Sequence, residues 1–399
     1  MGRCWSFRSF RKLSGGAALL LASICFPVAS QSQPLMRPDN PRVFIDPKGP
    51  QPSIIVRPGV PRIDGILSGY RLDPSSGGVI TYSFYEDTVF AGTYGGTETG
   101  VREVSEPIKA SVRTIMGHLS EVTNVNFVEV VESVSQVGQI RLLFSNGPSY
   151  AYAYYPSSNS SSSIASDVHL NPNYDHSANT NGFQMPPGYH GYMSLIHEIG
   201  HALGLKHPHD SSPNLLPGED NTSSTVMTYN FTGNSAGLPM PYDIEALQFM
   251  YGSRGSRTVG TSYALPTRAN QYQVGASTYV NTTVNAKVSI WDEAGVDTVD
   301  LSALPLNSSG FRIDLRPAGV ITTNSSFNSI TYSATPVPSG AIVTSKTSGS
   351  GVFLSSDAAR IENIVGSRSS DQIYFNSLAN VLSGFGTSTA FGDDVVFSA

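Results

Sequence analysis

Apolar positions along the chain change period several times, and each change marks an element. Val79 to Tyr85, VITYSFY, has the β-branched and aromatic content of a strand. From Ile108 the apolar residues (Ile108, Val112, Ile115, Met116, Leu119, Val122) recur at helical spacing, with Ser105 placed as N-cap ahead of Pro107. QIRLLFS (139–145) alternates in part. AYAYYP (151–156) follows as a third strand candidate, before the serine-rich loop 157–163. A second helix is expected through LIHEIGHAL from residue 195, and a last one from about Asp243 to Tyr251. Strand, helix, strand, strand, helix predicts a mixed domain of helices and strands over 63–252. After Gly252 the pattern turns to short β-like runs rich in Ser, Thr, Asn, Gly and Val, so 253–399 reads as a separate β domain.

The first residues follow neither pattern. Arg3, Arg8, Arg11 and Lys12 make a basic start, Ala17 to Phe26 an apolar run, and Val28-Ala29-Ser30 a small-residue cleavage site. That is the layout of a secretory signal peptide over 1–30, with an apolar stretch too short for a membrane span. Two rival signals are weaker. Met1-Gly2 with Ser6 matches a loose myristoylation pattern, and Ile24 before Cys25 is too bulky for a lipoprotein cysteine. Residues 31–62 hold eight prolines and read as an extended linker or short pro-segment, with structure expected to begin near Ile63.

Composition sharpens this picture. Both cysteines, Cys4 and Cys25, fall within the signal, so the exported chain depends on its core or a bound metal for stability. The whole chain carries 24 basic and 30 acidic residues, net −6. Signal removal takes four basic residues and no acidic ones, which leaves the product more acidic still. Nucleic acid is therefore not expected as a partner. The expected product is secreted or periplasmic, monomeric, and without a lasting membrane anchor.

The densest chemistry is LIHEIGHALGLKHPHD (195–210), which holds four of the eight histidines. His197 and His201 are at i and i+4, on one helix face, so their imidazoles can share an ion. Glu198 stands beside the first, able to reach a metal-activated water without being a ligand. Gly204 is where the helix ends in a left-handed turn, letting His207 swing back as third ligand. Three neutral histidines with an open position are the arrangement of catalytic rather than structural zinc. His209 fits no ligand spacing and reads as a solvated loop residue.

HEIGHALGLKHP resembles the metzincin zinc endopeptidases, and the proline after the third histidine points to the serralysin branch. STVMTYN (224–230) is similar to the family's Met-turn. The resemblance implies that Met227 floors the histidines and that Tyr229 binds or leaves the zinc and assists the oxyanion. IDGILSGYRLDPSSGGVITYSF resembles the start of the serralysin catalytic domain, PMPYDIEALQFMYG its closing helix, and AYAYYP its substrate-binding edge strand. The implied fold is α+β: a metzincin-like catalytic domain with a twisted mixed sheet plus active-site helices, then an all-β domain.

The C-terminal half is similar but eroded. SIWDEAGVDTVDLSAL (289–304) and RIENIVGS (360–367) resemble the serralysin C-terminal domain. The nonapeptide calcium repeats, however, survive only as GSRSSDQIY (366–374) and FGDDVV (391–396). The implied domain is a degenerate β-roll or sandwich with few calcium sites or none, the candidates being Asp292, Asp297, Asp300, Asp371 and Asp394. The function expected is a secreted zinc endopeptidase acting on protein or peptide substrates, with Glu198 as general base. The alternative is a non-catalytic exported binding or matrix protein retaining a structural zinc site.

Overall fold

The computed structural model describes residues 52–156 and 163–255, then 259–265, 273–274, 277–278, 285–316, 319–329, 345–347, 351–383 and 394–396. The signal segment, most of the proline-rich stretch and nearly all of the serine-rich loop lie outside the described residues. Among the described residues no helix is long and apolar enough to cross a membrane.

The first half begins with β1 (Ser53–Ile54), α1 (Pro61–Asp64), β2 (Tyr70–Arg71), β3 (Val79–Phe84), α2 (Asp87–Phe90) and α3 (Glu106–Val122). It continues through β4 (Asn126–Glu129), β5 (Ile140–Phe144), β6 (Ala151–Ala153), β7 (Asp167–Leu170), α4 (His190–Leu203) and α5 (Pro241–Tyr251). A five-stranded sheet forms in the order β4-β3-β5-β7-β6. All its pairings are parallel except that of β6, which runs antiparallel to β7 at the edge with Tyr152 opposite His169.

The partial alternation of IRLLF has a simple origin. β5 lies mid-sheet with both faces covered, so all five residues are buried. Ile140, Leu142 and Phe144 face the main core with α3 and α4. Leu143 faces a smaller cluster with Tyr85, Phe90, Val101 and Val137. On that second face Arg141 is 1% exposed, yet fully matched. Its Nε and Nη2 donate to the two oxygens of Glu132 at 2.6 and 2.7 Å, and its guanidinium lies over the rings of Tyr85 and Phe90. A buried charge survives there because the pairing is bidentate and the plane is stacked.

Three sequence readings need correction. Ser105 does occupy the N-cap position of α3, but its hydroxyl makes no cap and donates to Asp175 Oδ1 at 2.5 Å. The last helix starts at Pro241, two residues before Asp243, because proline fits the first helical position. Folded structure also begins earlier than Ile63. β1 pairs with β2, Ile55 N–H donates to Gly69 O at 2.9 Å, and Arg62 forms an ion pair with Glu245 on α5. Proline-rich composition concealed this, since a two-residue strand has no readable period.

Beyond residue 252 the strands are β8 (Ser262–Ala264), β9 (Gln273–Val274), β10 (Ser277–Thr278), β11 (Lys287–Asp300), β12 (Phe311–Asp314) and β13 (Val320–Thr323). Then come β14 (Phe327–Ser329), β15 (Ser345–Thr347), β16 (Gly351–Val365), β17 (Gln372–Tyr374), β18 (Val381–Ser383) and β19 (Asp394–Val396). Ten of them make one sheet in the order β10-β9-β8-β11-β16-β13-β12-β17-β19, with β18 also on β16. Its own core gathers Tyr263, Val288, Ile290, Val299, Ile313, Ile361, Ile364 and Ile373. The halves are packed together: Trp291 joins Val122 and Ile244, and its Nε1 donates to Glu121 O at 3.3 Å.

The turn after α4 depends on glycine. Gly204 has φ +112°, a left-handed value, and a Cβ there would stand 2.1 Å from Tyr70 O. Around it Ser68 N–H donates to Gly204 O and Lys206 N–H to Ile66 O, so the 65–70 segment buttresses the reversal. Gly204→Ala is therefore expected to lose more than about 2 kcal/mol from strain and collision together. Denaturant unfolding measures this; a loss below 1 kcal/mol, by the same scale, would mean the turn relaxes freely.

Candidate metal centre and active site

α4 carries LIHEIGHAL so that His197, Glu198 and His201 are all buried, at 2%, 1% and 4% exposure. His207, buried at 1%, returns over them after the Gly204 turn. His207 Nε2 lies 3.1 Å from His197 Nε2 and 3.0 Å from His201 Nε2. The other nitrogen of each ring is occupied. His197 Nδ1 donates to Val226 O at 2.8 Å, His201 Nδ1 to Leu205 O at 2.8 Å, and His207 Nδ1 to Asp210 Oδ2 at 2.7 Å.

Those acceptors cannot donate, so the proton of each neutral ring sits on Nδ1 and three Nε2 lone pairs face one point. Three lone pairs at such distances repel one another unless a cation lies between them. The donor set therefore fits a zinc ion, with each ligand oriented by an outer acceptor. Burial pushes the pKa of His201 down to about 3 and that of His207 to about 4, and holds His197 well below its usual value, which keeps all three neutral.

The remaining predicted residues surround this point. Met227 is fully buried against α4, and a Cβ at Gly200 would stand 2.7 Å from its sulfur, which explains the glycine inside HEIGH. The Tyr229 ring centroid lies 4.4 Å from that of His207 and 6.0 Å from that of His197. Tyr155, just beyond β6, packs edge-on to His201 at 5.2 Å.

His209 lies exposed in a turn, as the sequence reading expects, and it also stands close to the site. Its ring is parallel to His207 at 5.6 Å, 5.1 Å from Tyr229, and its Nδ1 is 3.2 Å from Asp220 Oδ2. Asp220 in turn accepts from Thr228, next to Tyr229. No ligand spacing could signal this stacking.

Three further groups escaped the sequence reading. Asp210 was detectable as a carboxylate three residues past a metal-type histidine. Val226 contributes only its carbonyl, which no sequence pattern marks. Asp243 lies on α5, far along the chain. It accepts from Thr225 Oγ1 at 2.5 Å and from the N–H groups of Val226 and Met240 at 2.8 Å, so it braces the Met-turn beneath His197. Burial raises its pKa to about 6 despite these donors.

The calcium candidates lie elsewhere. Asp292, Asp297 and Asp300 are on β11, Asp371 precedes β17 and Asp394 begins β19, its side chain outside the described residues. Asp292 accepts from Tyr263 at 2.6 Å and Asp297 from Thr261 N–H at 2.7 Å. Asp371 accepts from Ser367 N–H and hydroxyl and from Phe311 N–H. Among the described residues, the groupings able to hold a metal are the histidine triad and His207 with His209 and Asp210.

Comparison with known proteins agrees with this geometry. Residues 93–252 match the matrixin peptidase family. That stretch is similar to metzincin peptidase domains, and the relatives it matches are serralysins. The chain is 30% identical to a serralysin of Proteus mirabilis over 231 residues, covering 50% of this chain and 45% of that protein. It is 28% identical to serralysin A of Dickeya chrysanthemi over 231 residues, 53% of this chain and 46% of the relative. Metallopeptidase AprA of Pseudomonas marginalis is 26% identical over 310 residues, 71% of this chain and 57% of its own length. The chain thus spans about half the length of the curated relatives it matches. The metzincin resemblance implies zinc, which the triad fits.

Two outcomes follow from this centre. Asp243→Ala leaves two buried N–H groups without their acceptor and is expected to lose about 2–4 kcal/mol, measured by denaturant unfolding. The histidines have folded pKa values below their unfolded value, so the unfolded chain binds more protons at mildly acidic pH. The chelated protein should keep its full stability above about pH 6.5 and lose it progressively down to about pH 4. Thermal melts of metal-free protein across that range check the sign.

Proposed function

We propose that the chain is a secreted zinc-dependent endopeptidase. The observation that carries this reading is the convergence of three Nε2 atoms with every Nδ1 already committed. The identity to serralysins supports it, as does the apolar run and cleavage site at 17–30 for export. His197, His201 and His207 would hold the ion, with Tyr229 beside it as an additional, reversible ligand.

A zinc ion held there supplies Lewis-acid polarisation of the scissile carbonyl and acidifies a water molecule. The chain's own residues do the rest. Glu198 takes the proton from the attacking water and passes it to the leaving amine, because its helix position sets it beside the ligand pair. The Tyr229 hydroxyl donates to the oxyanion that forms on the former carbonyl. Met227 gives the histidines an incompressible apolar floor. β6 lies at the sheet edge, where an extended peptide would bind as one more strand. Burial of the triad keeps bulk water from competing for the lone pairs.

The test is hydrolysis of casein or a peptide library by the purified secreted protein. A chelator should abolish cleavage and zinc restore it. Glu198→Gln should lower kcat by about 10³ or more while zinc content is kept. Tyr229→Phe should lower kcat by about 10- to 100-fold with KM little changed. Chelator-resistant cleavage, or full activity in the Glu198 variant, would sink the assignment.

A further inference from the structure

Lys287 opens β11 and is 0% exposed. Its main chain reaches across to the first half of the chain: Lys287 N–H donates to Ser235 O at 3.1 Å, and Gly237 N–H donates to Lys287 O at 2.8 Å. Its side chain follows. Nζ donates to Thr222 Oγ1 at 3.2 Å, to Thr232 Oγ1 at 3.2 Å, and to the Thr232 carbonyl.

Thr222 and Thr232 form the neck of a loop. Thr222 N–H donates to Asn230 O at 3.2 Å, and Thr232 N–H to Thr222 Oγ1 at 2.9 Å. Between them lie Val226, whose carbonyl orients His197, then Met227 and Tyr229. The lysine therefore ties the two ends of this loop to the first long strand of the β domain.

Energetics argue that the contact exists for geometry. Among the described residues the ammonium's bonds all end on neutral oxygens, and burial pushes its pKa down to about 7. A buried lysine with such partners contributes less to stability than an apolar side chain of the same volume. A Met or Leu would fill the space at lower cost, but it could not bond to both sides of the neck at once.

We propose that Lys287 is a positioning residue through which the β domain closes the 222–232 loop and sets Tyr229 against the histidine triad. The active site is then incomplete without the second half of the chain. This rests on the peptidase reading for its kinetic test, but not for its structural one.

The experiment uses the full secreted chain and Lys287→Met, which keeps the apolar stem and removes the donor. Amide hydrogen exchange over 223–231 should accelerate about tenfold or more, with zinc content and melting temperature kept. Unchanged exchange overturns the proposal whether or not the parent cleaves peptides. In an active parent, kcat should fall about tenfold while KM stays within about twofold. The same substitution in a Tyr229→Phe background should add no further loss. A full additive loss there shows that Lys287 does not act through Tyr229. If Lys287→Met fails to fold, Thr232→Val removes one acceptor from an intact lysine while keeping the Thr232 N–H bond to Thr222, and carries the same two readouts, with the same overturning results. An inactive parent with accelerated exchange in the variant would overturn the peptidase reading alone.

Discussion

Three nitrogen lone pairs must face one point, and the rest of the first half of the chain serves that requirement. An imidazole can present Nε2 reliably only if Nδ1 is occupied, and each ring here draws its acceptor from a different residue. His201 uses the carbonyl of Leu205 in the turn that follows its own helix. His207 uses Asp210 three residues on, and His197 uses Val226 in the Met-turn. Two of these anchors lie in the 205–210 stretch and the third in the Met-turn, so two segments hold the cluster.

The anchors are themselves anchored. The Leu205 turn depends on Gly204 and on the 65–70 segment, with Lys206 Nζ donating to Gly65 O at 2.7 Å. The Val226 turn depends on Asp243, whose carboxylate collects three donors. Both supports come from stretches remote in sequence, one near the start of the folded region and one near the end of the first half of the chain. Ligands at i and i+4 require a helix, but their orientation requires the fold.

Legibility followed the range of the interaction. Local periodicity identified α3, α4 and α5, because a helix facing a core shows its stripe within a few turns. β5 was visible by composition, while β4, β7, β1 and α2 were not, since short elements without a period leave no signal. In the site, His197, Glu198, His201 and His207 were legible because a metal constrains spacing. Asp243 and Lys287 were not, because their partners in the 222–232 loop lie 17 to 65 positions away and only folding brings them together. The contact of exposed His209 with His207 was hidden for a related reason: ring stacking carries no sequence period.

The pairing of Ser53 and Ile54 with Tyr70 and Arg71 has a bearing on processing. A peptidase that cut past Ser53 would remove paired backbone. Beyond that point it would strip a strand from beside the segment that buttresses Gly204, and the damage would pass through the turn to His207. Loss of β1 is thus connected mechanically to the third histidine. Truncation and active-site integrity become one question, measured at opposite ends of a single run of backbone hydrogen bonds.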